Sequence, residues 1–259
     1  MENTQGNAPV RYTDDVYYIG TNSSPSWLIK STDGLILIDT AMPEDLEHIL
    51  SGISSLGYSA SDVRHIIHSH AHIDHMGSTR ALVELSGART YVGSGDEDSA
   101  AGRNELQWTN EFNISYDGAF EPDVIIHDGD RINIGDKRFS FIASPGHTRG
   151  VLSIFFNVTE GGKEYRAGMF GGAGLYSMQL SYLRKYSLPE SLRDDFIKSL
   201  ERAMEEKIDV HLGNHLGDNE HREKIKEISD GHNPFIDGST WQRFLRKRRD
   251  DAIEFFKTH

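Results

Sequence analysis

No feature restricts the folding of this 259-residue chain more than the stretch from His68 to Gly77. It reads His-Ser-His-Ala-His-Ile-Asp-His-Met-Gly, and it follows Val63 to Ser69, an apolar run with the character of a buried strand. Imidazole and carboxylate groups led into a protein interior must be partnered there. His70 and His72 lie two apart at the end of the strand. Alternate residues of an extended chain point the same way, so both imidazoles can reach one ion. Asp74 and His75 fall where the chain turns into the next helix, and they can address a second position a few ångströms away. Gly77 lets the backbone pack closely at that turn. The chain has no cysteine. Any metal therefore sits on histidine and carboxylate, and neither a disulfide framework nor a cysteine nucleophile is available.

Two further histidines fit the pattern. Pro145-Gly146-His147-Thr148 follows a strand ending at Ala143, and Val210-His211-Leu212-Gly213-Asn214-His215 repeats the arrangement late in the chain. Beside the first cluster, His147 and His215 read as ligands. His68 lies outside the spacing and reads as structural. His48, His65, His127, His221, His232 and His259 lack such a context and read as ordinary.

Elsewhere the pattern alternates between strands and helices. Val16–Gly20, Trp27–Lys30 and Leu35–Asp39 read as short strands. A helix opened by Pro43 carries Leu46, Ile49, Leu50 and Ile53 on one face, and another resumes near Met76 with Ala81, Leu82 and Leu85 apolar. Arg89–Val92, Val124–His127, Arg131–Ile134, Phe139–Ala143, Leu152–Val158 and Tyr165–Phe170 read as strands. A helix over Pro189–Glu206, a strand Val210–Leu212 and a closing helix with Trp241, Leu245, Ala252, Phe255 and Phe256 at helical spacing complete the chain. Strands and helices mix in both halves. The expected architecture is α/β, with two sheets covered by outer helices in a single domain over residues 1–259.

The net charge is −13. Such a balance argues against nucleic acid or an anionic membrane as partner. Arg243, Arg246, Lys247, Arg248 and Arg249 lie opposite the apolar face of the closing helix and read as a solvated surface. The first residues carry neither a basic region nor an apolar core, so the expected location is cytoplasmic, with a removed leader as the alternative.

Taken together these residues resemble the metallo-β-lactamase superfamily. The likeness is carried by Tyr17-Tyr18-Ile19-Gly20, Leu37-Ile38-Asp39-Thr40, the His70 to His75 loop, Asp128-Gly129-Asp130, Pro145-Gly146-His147-Thr148, Asp194-Asp195-Phe196 with Ser199, and His215. The resemblance implies a four-layer αββα sandwich with a metal site between its two sheets. In detail it is most similar to the third subclass of zinc β-lactamases. That likeness implies two zinc ions per chain, one on His70, His72 and His147 and one on Asp74, His75 and His215. Asp39 matches the family's carboxylate behind the metal loop.

The departures are specific. Many hydrolases of the superfamily, such as glyoxalase II, have a bridging aspartate in a Gly-Asp pair after a strand. Here that stretch reads Met169-Phe170-Gly171-Gly172-Ala173-Gly174, which offers no side-chain ligand and none of the subclass's serine hydroxyls. Arg149 stands where a proline usually follows Gly-His-Thr, and it reads either as the missing contact to a substrate anion or as a surface ion pair. Flavodiiron relatives have glutamate where this chain has His72, and imidazole favours zinc. The resemblance implies a zinc-dependent hydrolase that opens a cyclic amide or ester by attack of a metal-bound hydroxide, with Asp74 both ligand and catalytic orienting group. No Gly-x-Ser-x-Gly nucleophile is present. The alternatives are a lactone or other ester hydrolase of the same fold, a mononuclear iron dioxygenase, and a non-catalytic metal-binding protein. Specificity is expected in the loops Gly93–Trp108 and Gly172–Ser187, where Trp108, Tyr176, Tyr182 and Tyr186 are candidate pocket residues.

Overall fold

A computed structural model describes residues 8–229 and 231–259. Its first sheet contains β1 (Val10–Arg11), β2 (Val16–Tyr18), β3 (Trp27–Ser31), β4 (Gly34–Ile38), β5 (Val63–Ile67), β6 (Arg89–Gly93) and β7 (Val124–Ile126), paired in chain order. Pairing is antiparallel from β1 to β4 and parallel from β4 to β7. The second sheet contains β8 (Arg131–Ile134), β9 (Lys137–Ala143), β10 (Leu152–Glu160), β11 (Lys163–Phe170) and β12 (Val210–His211), with β12 joined parallel to β11.

Side chains show why these strands read as unbroken apolar runs. Along β10, Ile154, Phe156 and Val158 enter the layer between the sheets, while Phe155 points to the opposite face. In β3 and β4, Trp27, Ile29, Ile36 and Ile38 face the same inner layer, and Leu28, Leu35 and Leu37 face outward. A strand that alternates between two buried faces has no polar side. The outer face of the first sheet is covered by the helix Leu46–Ser55, through Ile49 and Ile53, and by Leu82 of the helix Thr79–Ser86. The outer face of the second is covered by Phe196 and Leu200 of the helix Leu192–Ala203 and by Trp241, Leu245 and Ala252 of the helix Gly238–Thr258. Three apolar layers separate four structural ones, which is the αββα sandwich.

Some details differ from the sequence reading. Leu85 is 53% exposed, because only Leu82 in its helix meets the sheet squarely. The expected helix Pro189–Glu206 is shorter, Leu192–Ala203. β9, β10 and β11 each run two residues beyond the apolar signal at one end, carried by sheet pairing and, in β9, by the buried Lys137 on Asp15. Of the basic residues of the last helix, Arg243, Lys247 and Arg249 form surface ion pairs with Glu220, Asp251 and Asp250, whereas Arg248 is half-buried over the Phe244 ring and faces Asp218.

Candidate metal centre

Four strand ends open on one place. Asp39 follows β4, the loop His68–His75 follows β5, His147 lies on the loop after β9, and His215 lies beyond β12. In sheets of this kind, ligand sites form outside the carboxyl ends of the parallel strands. Asp39 takes a left-handed backbone conformation, φ 61°, unusual for a residue with a side chain. The bend aims its carboxylate back at the β5 loop.

The first donor set is His70, His72 and His147, whose ligand atoms lie within 4.8 Å of one another. All three are buried. Their outer nitrogens fix which nitrogen remains free. Ser69 donates its hydroxyl proton to Asp39 Oδ2 at 2.6 Å. Ser69 Oγ must therefore accept from His70 Nδ1 at 3.1 Å, leaving His70 Nε2 as a bare electron pair. His147 Nδ1 lies 2.8 Å from the carbonyl of Gly174, an acceptor only, so it too donates and leaves Nε2 bare. His70 Nε2 faces His72 Nδ1 at 3.1 Å.

The second set is Asp74, His75 and His215. His75 Nδ1 donates to Asp39 Oδ2 at 2.9 Å, which turns Nε2 toward the other members of the set. That atom lies 3.3 Å from His215 Nε2 and 3.4 Å from Asp74 Oδ2. The second carboxylate oxygen of Asp74, Oδ1, is buried with no hydrogen-bond partner. A buried polar atom left unmatched costs about 1–3 kcal/mol, more when charged. Six donors thus form two groups of three, each turned to a common point. Buried nitrogen and oxygen donors so arranged fit divalent cations.

The electrostatics of the first set agree with this use. Burial, reinforced by neighbouring imidazoles, holds His70 and His72 well below the ordinary histidine value, and burial pushes His147 down to about 4. These rings are neutral electron-pair donors. Burial opposes charge on His75, but Asp74 and Asp39 outweigh it and push the ring up to about 10. Burial works against an ionised Asp74. His75, then His72 and His215, overcome it and keep the carboxyl well below its usual range. The second set therefore holds positive charge next to an ionised carboxylate even without an ion.

Every site residue named from sequence converges here, and Asp39 stands behind His75 as expected. His68 is structural, its Nε2 3.1 Å from Thr79 Oγ1 in a closed pocket. His48, His65 and His221 bond to Gly20 O, Tyr91 OH and Tyr12 OH, away from the centre. Arg149 is exposed, lines a small cavity with His72 and His147, and makes no ion pair among the described residues.

Other supports were missed. Asp96 is buried, and its carboxylate accepts from Ala71 N at 2.9 Å, Thr148 Oγ1 at 2.6 Å and Gly150 N at 2.9 Å. It braces the loop of His70 and His72 to the loop of His147. The glycine run also gains a reason. A Cβ on Gly172 would lie 2.9 Å from the His147 ring, and one on Gly174 2.8 Å. Those glycines make room for a ligand ring rather than carry a ligand. Trp108 stacks on His72, with ring centroids 4.6 Å apart and planes at 27°.

Comparisons with known proteins agree with this geometry. Residues 19–160 match the metallo-beta-lactamase superfamily. An uncharacterised protein of Aquifex aeolicus is 31% identical over 144 residues, 54% of this chain and 61% of its own length, so the chain spans less than two thirds of that relative. The acyl-coenzyme A thioesterase MBLAC2 of Bos taurus is 23% identical over 209 residues, 73% of this chain and 70% of its own. Among solved structures, the subclass B3 metallo-beta-lactamase BJP-1 of Bradyrhizobium japonicum superposes with a TM-score of 0.88 at 28% identity, covering 98% of this chain and 95% of that one. The family match takes in more than half of the chain, and with the two donor sets at the strand ends it places the chain in the metallo-beta-lactamase superfamily.

Proposed function

We propose that residues 1–259 act as one domain and form a di-zinc hydrolase that opens a cyclic amide or ester of a small-molecule substrate. The observation that carries this reading is the pair of donor triads whose ring nitrogens face one another at 3.1 and 3.3 Å. His70, His72 and His147 would hold one ion, and Asp74, His75 and His215 the other. Zinc, when bound, supplies Lewis acidity to a substrate carbonyl and lowers the pKa of water toward ~7.

The chain's own residues then have defined tasks. Asp39 keeps the proton of His75 on Nδ1, and Ser69 does the same for His70. Asp74 Oδ1 accepts a hydrogen bond from the attacking water and so orients its lone pair at the carbonyl. Trp108 and the buried histidines exclude bulk water from one side. Arg149, unpaired beside His147, meets an anionic group of the substrate. The Ser69 hydroxyl at the centre is fully buried and already bonded to Asp39, His70 and Asn214, so hydrolysis proceeds without a covalent serine intermediate.

A lactone, thioester or other open ester is the second reading, favoured by the likeness to MBLAC2 over 73% of this chain. The likeness to BJP-1 over 98% of the chain favours the cyclic amide. The test loads the protein with zinc, measures bound metal, and screens β-lactams, lactones and thioesters. Two zinc ions per chain, one lost in His147→Ala and the other in His215→Ala, are expected together with turnover of one of these classes. At most one tightly bound metal, unaffected by His215→Ala, overturns the two-ion assignment.

A further inference from the structure

The two mouths of the centre differ in chemistry. Beside His215 lies a cavity of about 590 Å³ lined by Leu216 together with the polar side chains of Asn22, Glu220, Arg222 and Glu223. Beside His72 the wall is aromatic. Trp108, stacked on His72, meets Tyr176 at 5.5 Å, Phe112 at 5.9 Å and Tyr182 at 6.4 Å between ring centroids. Tyr176 and Phe112 are 52% and 43% exposed, although large apolar side chains left in water are costly. The exposed rings reach the metal centre through Trp108, which lies between them and His72.

This wall is built from two segments held together. Glu111 Oε1 accepts from Tyr186 Oη at 2.6 Å and from Lys185 Nζ at 3.0 Å, and the Glu111 side chain is only 10% exposed. Backbone strain flanks the junction, with positive φ at Trp108 (69°), Asn113 (53°) and Ser187 (52°). Non-glycine residues persist in that region only when their surroundings hold them. The carbonyl of Gln107 accepts from Ile73 N at 2.9 Å, which ties Trp108 to the metal loop.

We propose that Trp108, Phe112 and Tyr176 form a subsite for an apolar chain or aryl ring on the acyl side of the substrate, and that Glu111 is the positioning residue that holds this wall by clasping Tyr186 and Lys185. An anionic group of the substrate then lies toward Arg149, at the edge of this wall beside His147, and the uncharged polar remainder lies toward His215. This rests on the hydrolase reading above, and it names the substrate class as acyl compounds with an apolar acyl group.

The test uses thioesters with one leaving group and acyl chains from acetyl to octanoyl, alongside binding of octanamide and acetamide followed by tryptophan emission. Trp27 and Trp241 are fully buried, so a bound amide reports through Trp108. In the zinc-loaded wild type, KM is expected to fall with chain length, and octanamide but not acetamide alters the emission. Trp108→Ala and the milder Tyr176→Ala should each raise KM for the octanoyl substrate roughly tenfold and flatten the chain-length dependence. Glu111→Ala should do the same, with Glu111→Gln restoring most of the effect because it keeps an acceptor for Tyr186. If no thioester is turned over but octanamide still alters the emission of Trp108, the hydrolase reading fails and the subsite stands. Turnover independent of chain length, with emission unmoved by octanamide, overturns the subsite.

Discussion

At the scale of single residues, Asp74 is the only carboxylate among the six proposed ligands, and its two oxygens differ. Oδ2 faces His75 and His215, whereas Oδ1 is buried without a partner. Asp74→Asn keeps the shape, removes the charge and gives one of these positions a donor in place of an acceptor. If Asp74 orients the attacking water, kcat should fall by at least ~100-fold while KM moves less. Steady-state kinetics of the zinc-loaded variant checks this, and near-normal turnover would remove Asp74 from the mechanism. The convergence of the six proposed ligands and Asp39 was legible in the sequence because each sits at a strand end in a short motif. Ser69 was inside the motif but silent, since its role appears only when Asp39 and Asn214 arrive from elsewhere to fill its remaining bonds.

At the scale of elements, the centre depends on loops that have no register with one another. Asp96, from the turn after β6, supplies that register by binding backbone on both sides of the first donor set. Its burial raises the cost of a charge there, and the three donors it accepts from, Thr148 first, offset this in part. Asp96→Ala removes the brace and leaves three donors unmatched. Affinity at the first set should fall by about 10- to 100-fold, the usual effect of losing a group that orients ligands, with the second set less affected. Chelator competition on the variant measures it, and equal loss at both sets would contradict the assignment. No local signal marks Asp96, because its partners lie far away in sequence and meet it only through sheet packing. The same holds for the glycines against His147, which read as a missing ligand because the chain cannot show which ring lies over them. Strands were easier to read, since two buried faces leave a continuous apolar trace, and their ends were less so because pairing extends them past it.

At the scale of the whole molecule, stability should depend on acid through a histidine outside the centre. His211 is buried against Trp241 and Phe244, and neither ring nitrogen has a partner. Burial pushes it down to about 3, with Lys224 and Arg243 adding to the effect. In the unfolded chain an imidazole titrates near 6.5. Between those values the unfolded chain binds a proton that the folded chain refuses. Stability is therefore lost as pH falls from about 6.5 toward 3, by up to about 1.4 kcal/mol per pH unit. His211→Leu removes that slope. Relative to wild type, the variant should gain about 2 kcal/mol more at pH 5 than at pH 8. Urea unfolding at the two pH values tests it, and an equal change at both would show that His211 does not set the acid limb.

The order of the donors along the chain has a consequence for synthesis. His70, His72, Asp74 and His75 leave the ribosome early, His147 follows, and His215 comes last, more than sixty residues later. At ~5–20 residues per second, seconds pass between completion of the first triad and arrival of the final donor. Through that interval the nascent chain can offer a complete triad for one ion while the second set still lacks a member. If the two sets hold ions as proposed, loading would be vectorial, and an ion captured early would hold the two sheets in alignment while the last helices are still being made.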